Sequence, residues 1–324
     1  FDEMQFVKNP RTQRAIAAKG VQANFKIALT GTPLENRAQD LWAIVDSIAP
    51  GPLGAMSGFN RLFEKPGSER LERLRKALFS APNHAAPLCQ RRTKKEADPS
   101  IPGKVRRLHA RPMPRVQEMR YDEARAKTGG ILQVLQHIRR VSAHPGLVEN
   151  ELTNDFIGAS ARTEMTMVIL RHIESRDERA LIFVENRDLQ SWMAELIKVE
   201  FDLAEVMVIN GNTPIDDRRA IRQRFQRNRE GERGFDVLLL GPRAAGTGLT
   251  LTAANHVIHL TRWWNPAVEE QCNDRTHRIG QTKDVRIHIP IAIHPKLGPA
   301  SFDCLLHKLI TRKRQIAEDV LAAT

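Results

Sequence analysis

Over residues 180–293, short apolar runs alternate with charged segments of helical spacing. Ala180-Leu181-Ile182-Phe183-Val184, Val206-Met207-Val208-Ile209, Val237-Leu238-Leu239-Leu240 and Val257-Ile258-His259-Leu260 are nearly continuous apolar stretches, the pattern of strands buried on both faces of a parallel sheet. Residues 188–200 and 216–228 between them read as helices, and Val285 to Ile293 as the last strand. Strands that alternate with helices predict a parallel α/β unit covered on both faces. Phe302 to Ala323 then sets Leu305, Leu306, Leu309, Ile316 and Val320 on one side of an amphipathic closing helix.

The first half is less regular. Phe25, Lys26, Ile27, Ala28, Leu29 and Thr30 form a short run ended by Gly31 and Pro33, which predicts a buried parallel strand leaving a sheet. A helix is expected from Leu34 to Ile48. From residue 51 to residue 88, Gly51, Pro52, Gly54, Gly58 and Pro66 break the pattern around one basic helix near Glu69 to Phe79, as an insertion would. Val116, Met119, Tyr121, Ile131, Leu132, Val134, Leu135 and Ile138 restore helical spacing over 115–141, and 150–160 is polar like a linker. Together they predict a helical connector.

Composition narrows the class. The 324 residues exceed what one core usually organises, so two or more units are expected. No window holds about 18 consecutive apolar residues, and no basic segment leads into an apolar one at the start. A membrane span and a signal peptide are therefore not expected. The expected compartment is the cytoplasm, beside the nucleoid in a bacterium, or the nucleus in a eukaryote. Arginine predominates among the basic residues, which points towards a G+C-rich bacterial coding sequence. Cys89, Cys272 and Cys304 lie far apart without a C-x-x-C pair, so reduced, incidental thiols are expected in place of a zinc knuckle or disulfide framework. Fifty Lys and Arg against 38 Asp and Glu give a net charge of +12, which favours a polyanionic partner.

The chemistry concentrates between Gly241 and Gln281. Gly246-Thr247-Gly248 forms a turn after a strand, where backbone N–H groups can approach a phosphate. Gln271-x-x-Asp274-Arg275-x-x-Arg278 follows and ends in Ile279-Gly280-Gln281. Arg275 and Arg278, three apart, are expected on one helical face, where two guanidinium groups reach one phosphate. An isolated R-x-x-R is more often a solvated basic face. In this order, however, the segment resembles motifs V and VI of the SWI/SNF-type ATPases of helicase superfamily 2, which end Q-x-x-D-R-x-H-R-I-G-Q. Asp2-Glu3-Met4-Gln5 with Lys8-Asn9 resembles motif II of that family. Ala28-Leu29-Thr30-Gly31-Thr32-Pro33-Leu34-Glu35-Asn36 resembles motif III, and Asp40-Leu41-Trp42 and Pro50-Gly51 come next. Gln90-Arg91-Arg92-Thr93-Lys94, Ile101-Pro102-Gly103-Lys104, Gln117 with Tyr121, and His144-Pro145 resemble the segments that close the first lobe and cross to the second. Ile182-Phe183 resembles motif IV, and Gly211 with Thr213, Arg218 or Arg219 and Phe225 the element after it. The resemblance spans nearly the whole chain.

The resemblance implies an α/β fold of RecA-like parallel sheets, the end of lobe 1 plus a complete lobe 2, with helical insertions. Residues 1–50 would belong to lobe 1, 51–88 to an insertion, 89–114 to the segment closing lobe 1 and 115–160 to a connector. Residues 161–297 would form lobe 2 and 298–324 a brace helix. It implies an ATP-dependent motor that translocates on double-stranded DNA and remodels DNA-bound proteins, with ATP and Mg²⁺ as cofactors and no membrane partner. Asp2 would hold Mg²⁺, Glu3 would orient the attacking water, and Arg275 and Arg278 would act as arginine fingers. Gly246, Gly248 and Gln271 would join the two arginines at the nucleotide. Thr30, Gly31, Thr32, Gly211, Thr213 and Thr247 would touch nucleic acid.

Three departures qualify this. No G-x-x-x-x-G-K-[ST] occurs anywhere, so the β- and γ-phosphates lack their primary seat. The chain is thus expected to be the C-terminal portion of a motor, inactive alone and completed in cis by an N-terminal lobe. Gly241-Pro242-Arg243-Ala244-Ala245-Gly246 stands where the family has Ser-Thr-x-x-Gly-Gly, and Thr250 where it has the Asn of G-L-N-L. Both are expected to alter contacts to DNA and to leave the paired arginines untouched. Trp263-Trp264-Asn265-Pro266 reads as packing more than as a base-stacking platform. Arg218, Arg219, Arg222, Arg224, Arg227, Arg229 and Arg233 fit a phosphate-tracking stripe and a solvated helix face equally well. The rival functions are a non-catalytic DNA- or protein-binding regulatory module and an RNA helicase of the same superfamily. Retention of Asp2, Glu3, Arg275 and Arg278 disfavours the first.

Overall fold

The computed structural model describes residues 1–31, 38–63, 67–80, 86–149, 155–227, 234–243 and 248–321. The start of the helix expected at Leu34, the break at Pro66, the first part of the polar linker, Arg229 and Arg233 lie outside them. So do the candidate site residues Thr32, Gly246 and Thr247. The chain divides into two compact units. One comprises Phe1–Thr93, Asn265–Ala267 and Leu309–Thr324, the other Lys94–Trp264 and Val268–Lys308.

The second unit is built on strands β1 (Lys104–Pro112), β2 (Arg179–Phe183), β3 (Met207–Ile209), β4 (Asp236–Leu240), β5 (His256–His259) and β6 (Val285–Ile293). They form one six-stranded sheet in the order β1-β6-β5-β2-β4-β3, and every neighbouring pair is parallel. Successive side chains of a strand point to opposite faces, so β2 and β4 feed two cores. Ile182 and Leu239 join Leu170, Leu189 and Met193 on one face. Leu181 and Leu238 join Phe225, Leu251 and Ile287 on the other. Helices Ala161–Glu174 and Arg187–Glu200 start at Ser160 and Asn186, whose side chains accept from Thr163 N and Leu189 N and satisfy otherwise orphaned donors.

Residues 89–114, expected to close the first lobe, contribute β1 to this sheet, paired with β6 from Lys104↔Val285 to Pro112↔Ile293. Lys104, Arg106, Arg107 and Arg111 line this edge strand, and such charge discourages pairing with another chain. Among its described residues the connector holds helices Arg115–Ala126 and Ile131–Ala143, parted at Gly129-Gly130, and the short Gly146–Glu149. Fully buried Gln117 ties them to the sheet unit: Nε2 donates to Val141 O at 2.8 Å, and Oε1 accepts from Ala161 N at 3.0 Å. The Tyr121 hydroxyl accepts from Phe302 N at 2.9 Å, and His144 stacks on Phe156. These landmarks are structural ties.

The first unit is helical among its described residues. Leu41 and Trp42 of helix Ala38–Ile48 pack with Phe59, Leu71, Leu74, Leu78 and Val320. Helix Gln13–Gly20 was not foreseeable by apolar spacing, because it buries only Ala15 and Ala18. Thr12 caps it, its hydroxyl accepting from Ala15 N at 3.3 Å. The buried strand expected at 25–30 is not found. The segment forms no helix or strand, and Phe25, Ile27 and Leu29 are 79%, 54% and 58% exposed. It is tied to the first residues through Leu29 N to Phe1 O at 2.8 Å and Met4 N to Leu29 O at 2.9 Å. A buried parallel strand needs a neighbour on each side and helices over both faces, and no described residues supply them here.

Candidate active site

Helix Pro266–Asn273 ends one residue before Asp274, so Arg275 and Arg278 lie in a turn and do not share the helical face expected for them. The helical ladder runs out there: His277 N still reaches Asn273 O at 3.0 Å, but Arg278 N bonds Thr276 O at 3.0 Å. The Arg275 carbonyl turns aside to accept from Leu251 N at 2.9 Å. What the two arginines share is a target. Arg275 Nη1 donates to Leu249 O at 3.4 Å, and Arg278 Nη1 donates to Thr250 Oγ1 at 3.3 Å. The expectation that the Thr250 departure leaves the arginines untouched is therefore corrected, since its hydroxyl is the acceptor for one of them.

Both arginines thus face the glycine-bearing loop after β4. Gly248 holds φ +59°, a conformation that strains side chains bearing a Cβ. Gln281 locks loop to turn: buried, its Nε2 donates to Ala254 O at 2.9 Å and Thr252 O at 3.1 Å, while Oε1 accepts from Thr282 N at 3.0 Å. Gln271, half-buried on the preceding helix, makes no hydrogen bond among the described residues. Its amide is available to a ligand. Cys272 beside it is buried and free, and burial pushes its thiol well above the usual range. It is inert.

Groups to which motif reading gave no role at the site complete this region. Lys94 Nζ lies 2.7 Å from Asp274 Oδ1 and donates to His277 O at 2.9 Å. Lys104 pairs with Glu270, and Arg106 Nη2 donates to the same carboxylate at 2.8 Å. The order Q-R-R-T-K in the sequence flagged Lys94 only as a landmark, and nothing local points to Asp274.

In the first unit Asp2 and Glu3 are exposed. Asp2 Oδ1 accepts from Glu3 N at 2.8 Å, which leaves Oδ2 for a ligand. Glu3 holds φ +52°, sparsely populated for a residue with a Cβ and a feature that clusters at functional sites. Buried Gln5 links the two motifs, its Nε2 donating to the Glu3 carboxylate and its Oε1 accepting from Thr30 Oγ1 at 2.6 Å. Two accessible carboxylates side by side suit a hard, hydrated divalent cation such as Mg²⁺. Thr30 is turned towards Gln5, while Gly31 beside it is exposed with open space around it.

In the second unit Gly211 and Thr213 sit on the loop after β3. Thr213 Oγ1 accepts from Asn210 N at 3.0 Å, and Arg218 donates to Thr213 O at 2.8 Å and Asn210 O at 3.0 Å. Arg218 therefore shapes this loop, whereas Gly211 is exposed. Arg224 pairs with Glu205; Arg219, Arg222 and Arg227 make no hydrogen bond or ion pair among the described residues. Arg139 and Arg243 cover the Trp263 ring at 5.6 and 5.1 Å, and Trp264 meets Phe302 edge-on. The tryptophans are packed, as their reading from the sequence favours.

Residues 1–147 match the SNF2-related domain and residues 163–280 the helicase conserved C-terminal domain. The chain belongs to the SWI/SNF-type, helicase-like ATPases of superfamily 2, a family of ATP-dependent motors. It is 35% identical over 348 residues to the Zorya protein ZorD of Escherichia coli, a match covering 100% of this chain and 31% of that protein. It is 33% identical over 304 residues to the putative ATP-dependent helicase/translocase YwqA of Bacillus subtilis, covering 89% of this chain and 32% of that one. The chain thus spans about a third of the length of these relatives. The SWI2/SNF2 ATPase core domain of Sulfolobus solfataricus superposes with a TM-score of 0.53 at 28% identity, covering 100% of this chain and 66% of that one.

Proposed function

We propose that the protein to which this chain belongs hydrolyses ATP to translocate along double-stranded DNA. Arg275 and Arg278 neutralise charge that develops on the γ-phosphoryl group, a contribution of about 10³ to 10⁵ in rate for such fingers. Asp2 holds Mg²⁺ and Glu3 orients the attacking water. Gly248 and Gln271 join the arginines at the nucleotide, and Gly211, Thr213 and the exposed arginines of helix Ile215–Arg227 meet the phosphate backbone. The observation that carries this reading is the aim of both arginines at one loop, Leu249-Thr250. A solvated basic face would scatter them.

The net charge of +12 supports a nucleic-acid track, since phosphate contacts grip without reading sequence. YwqA is named a helicase/translocase, which agrees. The 324 residues hold no phosphate-binding loop, so the chain by itself should not turn over ATP. The test is ATPase activity of the full-length protein with duplex DNA, single-stranded DNA and RNA in turn. Strong stimulation by duplex alone is expected; stimulation by RNA alone would overturn the DNA assignment.

A further inference from the structure

The turn that carries the two arginines lies beyond its helix, which ends at Asn273, and only turn-type bonds such as Arg275 N to Cys272 O at 3.2 Å and His277 N to Asn273 O at 3.0 Å tie it back. Fingers nonetheless need fixed geometry, because a misplacement of about 1 Å costs on the order of 10²-fold in rate. A further hold comes from a segment distant in sequence. Lys94 Nζ is 2.7 Å from Asp274 Oδ1 and 2.9 Å from His277 O. Asp274 immediately precedes Arg275, and His277 immediately precedes Arg278. One ammonium group therefore grips the residue before each arginine. A lysine suits this task, since its compact charge has three donors to divide between a carboxylate and a carbonyl.

The neighbours reinforce the grip. Lys104 pairs with Glu270 and lies 3.8 Å from Asp274 Oδ1, and Arg106 bonds the same Glu270 carboxylate. His277 Nε2 donates to Pro102 O at 2.9 Å. Burial pulls the Lys94 ammonium below the usual lysine range, Asp274 pushes it back up, and Arg278 is close enough to lower it. A cation beside two others is electrostatically awkward, and Asp274 offsets that.

We propose that Lys94, supported by Lys104, is a positioning residue for the arginine pair: it fixes the Asp274–Arg278 turn so that both guanidinium groups meet the transferring phosphoryl group. The proposal rests on the reading of Arg275 and Arg278 as transition-state groups. It is tested in the full-length protein by single-turnover and steady-state duplex-stimulated ATPase. The proteins compared are the wild type, Lys94→Met, Lys94→Arg, Lys104→Met, Arg278→Ala, and each methionine variant combined with Arg278→Ala.

Lys94→Met should lower kcat by about 10²-fold with KM for ATP and the melting temperature held near wild type, and Lys94→Arg should recover most of the loss. In the Arg278→Ala background Lys94→Met should cost clearly less than it does alone, because part of its effect passes through that arginine. Lys104→Met leaves Lys94 in place and should give a smaller loss, likewise reduced in that background. It keeps the test readable if Lys94→Met fails to fold. Losses that multiply in the double variants, wild-type kcat in Lys94→Met, or a raised KM with unchanged kcat would each overturn the proposal. Wild-type turnover in Arg278→Ala would instead sink the underlying reading of the arginines, so the two failures are distinguishable.

Discussion

Arg278 donates from Nη1 to the Thr250 hydroxyl at 3.3 Å, joining the loop after β4 to the turn after helix Pro266–Asn273. That contact holds a guanidinium group beside a loop suited to phosphate. A hydrogen bond to a charged donor contributes about 1.5–3 kcal/mol, enough to bias a side chain between poses.

Thr250→Val keeps the shape of the side chain and removes the acceptor. It should lower duplex-stimulated kcat of the full-length protein by about 10-fold, the equivalent of some 1.4 kcal/mol, while Thr250→Asn, which restores a side-chain carbonyl, should retain activity. Wild-type kcat in Thr250→Val would show that the contact plays no part in placing Arg278.

A buried ion pair secures the second unit. Arg162 and Asp303 are both almost fully buried, Arg162 Nη1 also donates to Leu260 O at 2.9 Å, and Asp303 Oδ2 accepts from Ala292 N at 2.8 Å. Asp303→Asn leaves the guanidinium charge uncompensated and should destabilise the fold by roughly 3 kcal/mol, measured as a fall in the urea midpoint. An unchanged midpoint would mean the pair is solvated in solution.

Three histidines form a chain across the sheet. Glu178 can only accept, so His256 Nε2 donates to it at 2.7 Å, His288 Nε2 donates to His256 Nδ1 at 3.0 Å, and His109 Nε2 donates to His288 Nδ1 at 3.0 Å. Burial, then the neighbouring histidines and arginines, lowers His288 to about 3, and burial likewise lowers His256 and His109. Burial would raise Glu178, but hydrogen bonds from His256 and Lys283 and the Lys283 charge outweigh it and hold the carboxyl at about 2. Folded pKa values below the unfolded ones give stability that is present above about pH 6.5 for the histidines and 4.5 for Glu178. It is lost as pH falls, down to about 3 for His288 and about 2 for Glu178. His288 adds a slope of about 1.4 kcal/mol per pH unit between its ordinary value and about 3. Urea midpoints between pH 7 and 4 should fall steeply for wild type and less for His288→Gln; equal slopes would contradict the neutral chain.

The second unit was largely legible in the sequence because a parallel sheet covered on both faces writes itself as continuous apolar runs. Ala180–Val184 was read within a residue of β2, Arg179–Phe183, and the helix expected at 188–200 spans Arg187–Glu200. Periodicity failed where burial does not follow it. Helix Gln13–Gly20 buries two alanines, and the apolar run at 25–30 stays exposed for want of neighbouring strands among the described residues. Residue types located the arginine pair, but its geometry was misread, since the end of helix Pro266–Asn273 is set by tertiary contacts to Leu251, Lys94 and Gln281. The Lys94 contact joins residues 183 apart in sequence, which no local pattern reveals.

The most direct test of the account is duplex-stimulated ATP turnover by the full-length protein bearing Arg278→Ala, with binding of a fluorescent ATP analogue measured in parallel. The account predicts turnover lower by at least about 10³-fold with analogue affinity within a few-fold of wild type. Wild-type turnover, or a loss explained wholly by weaker nucleotide binding, would contradict it.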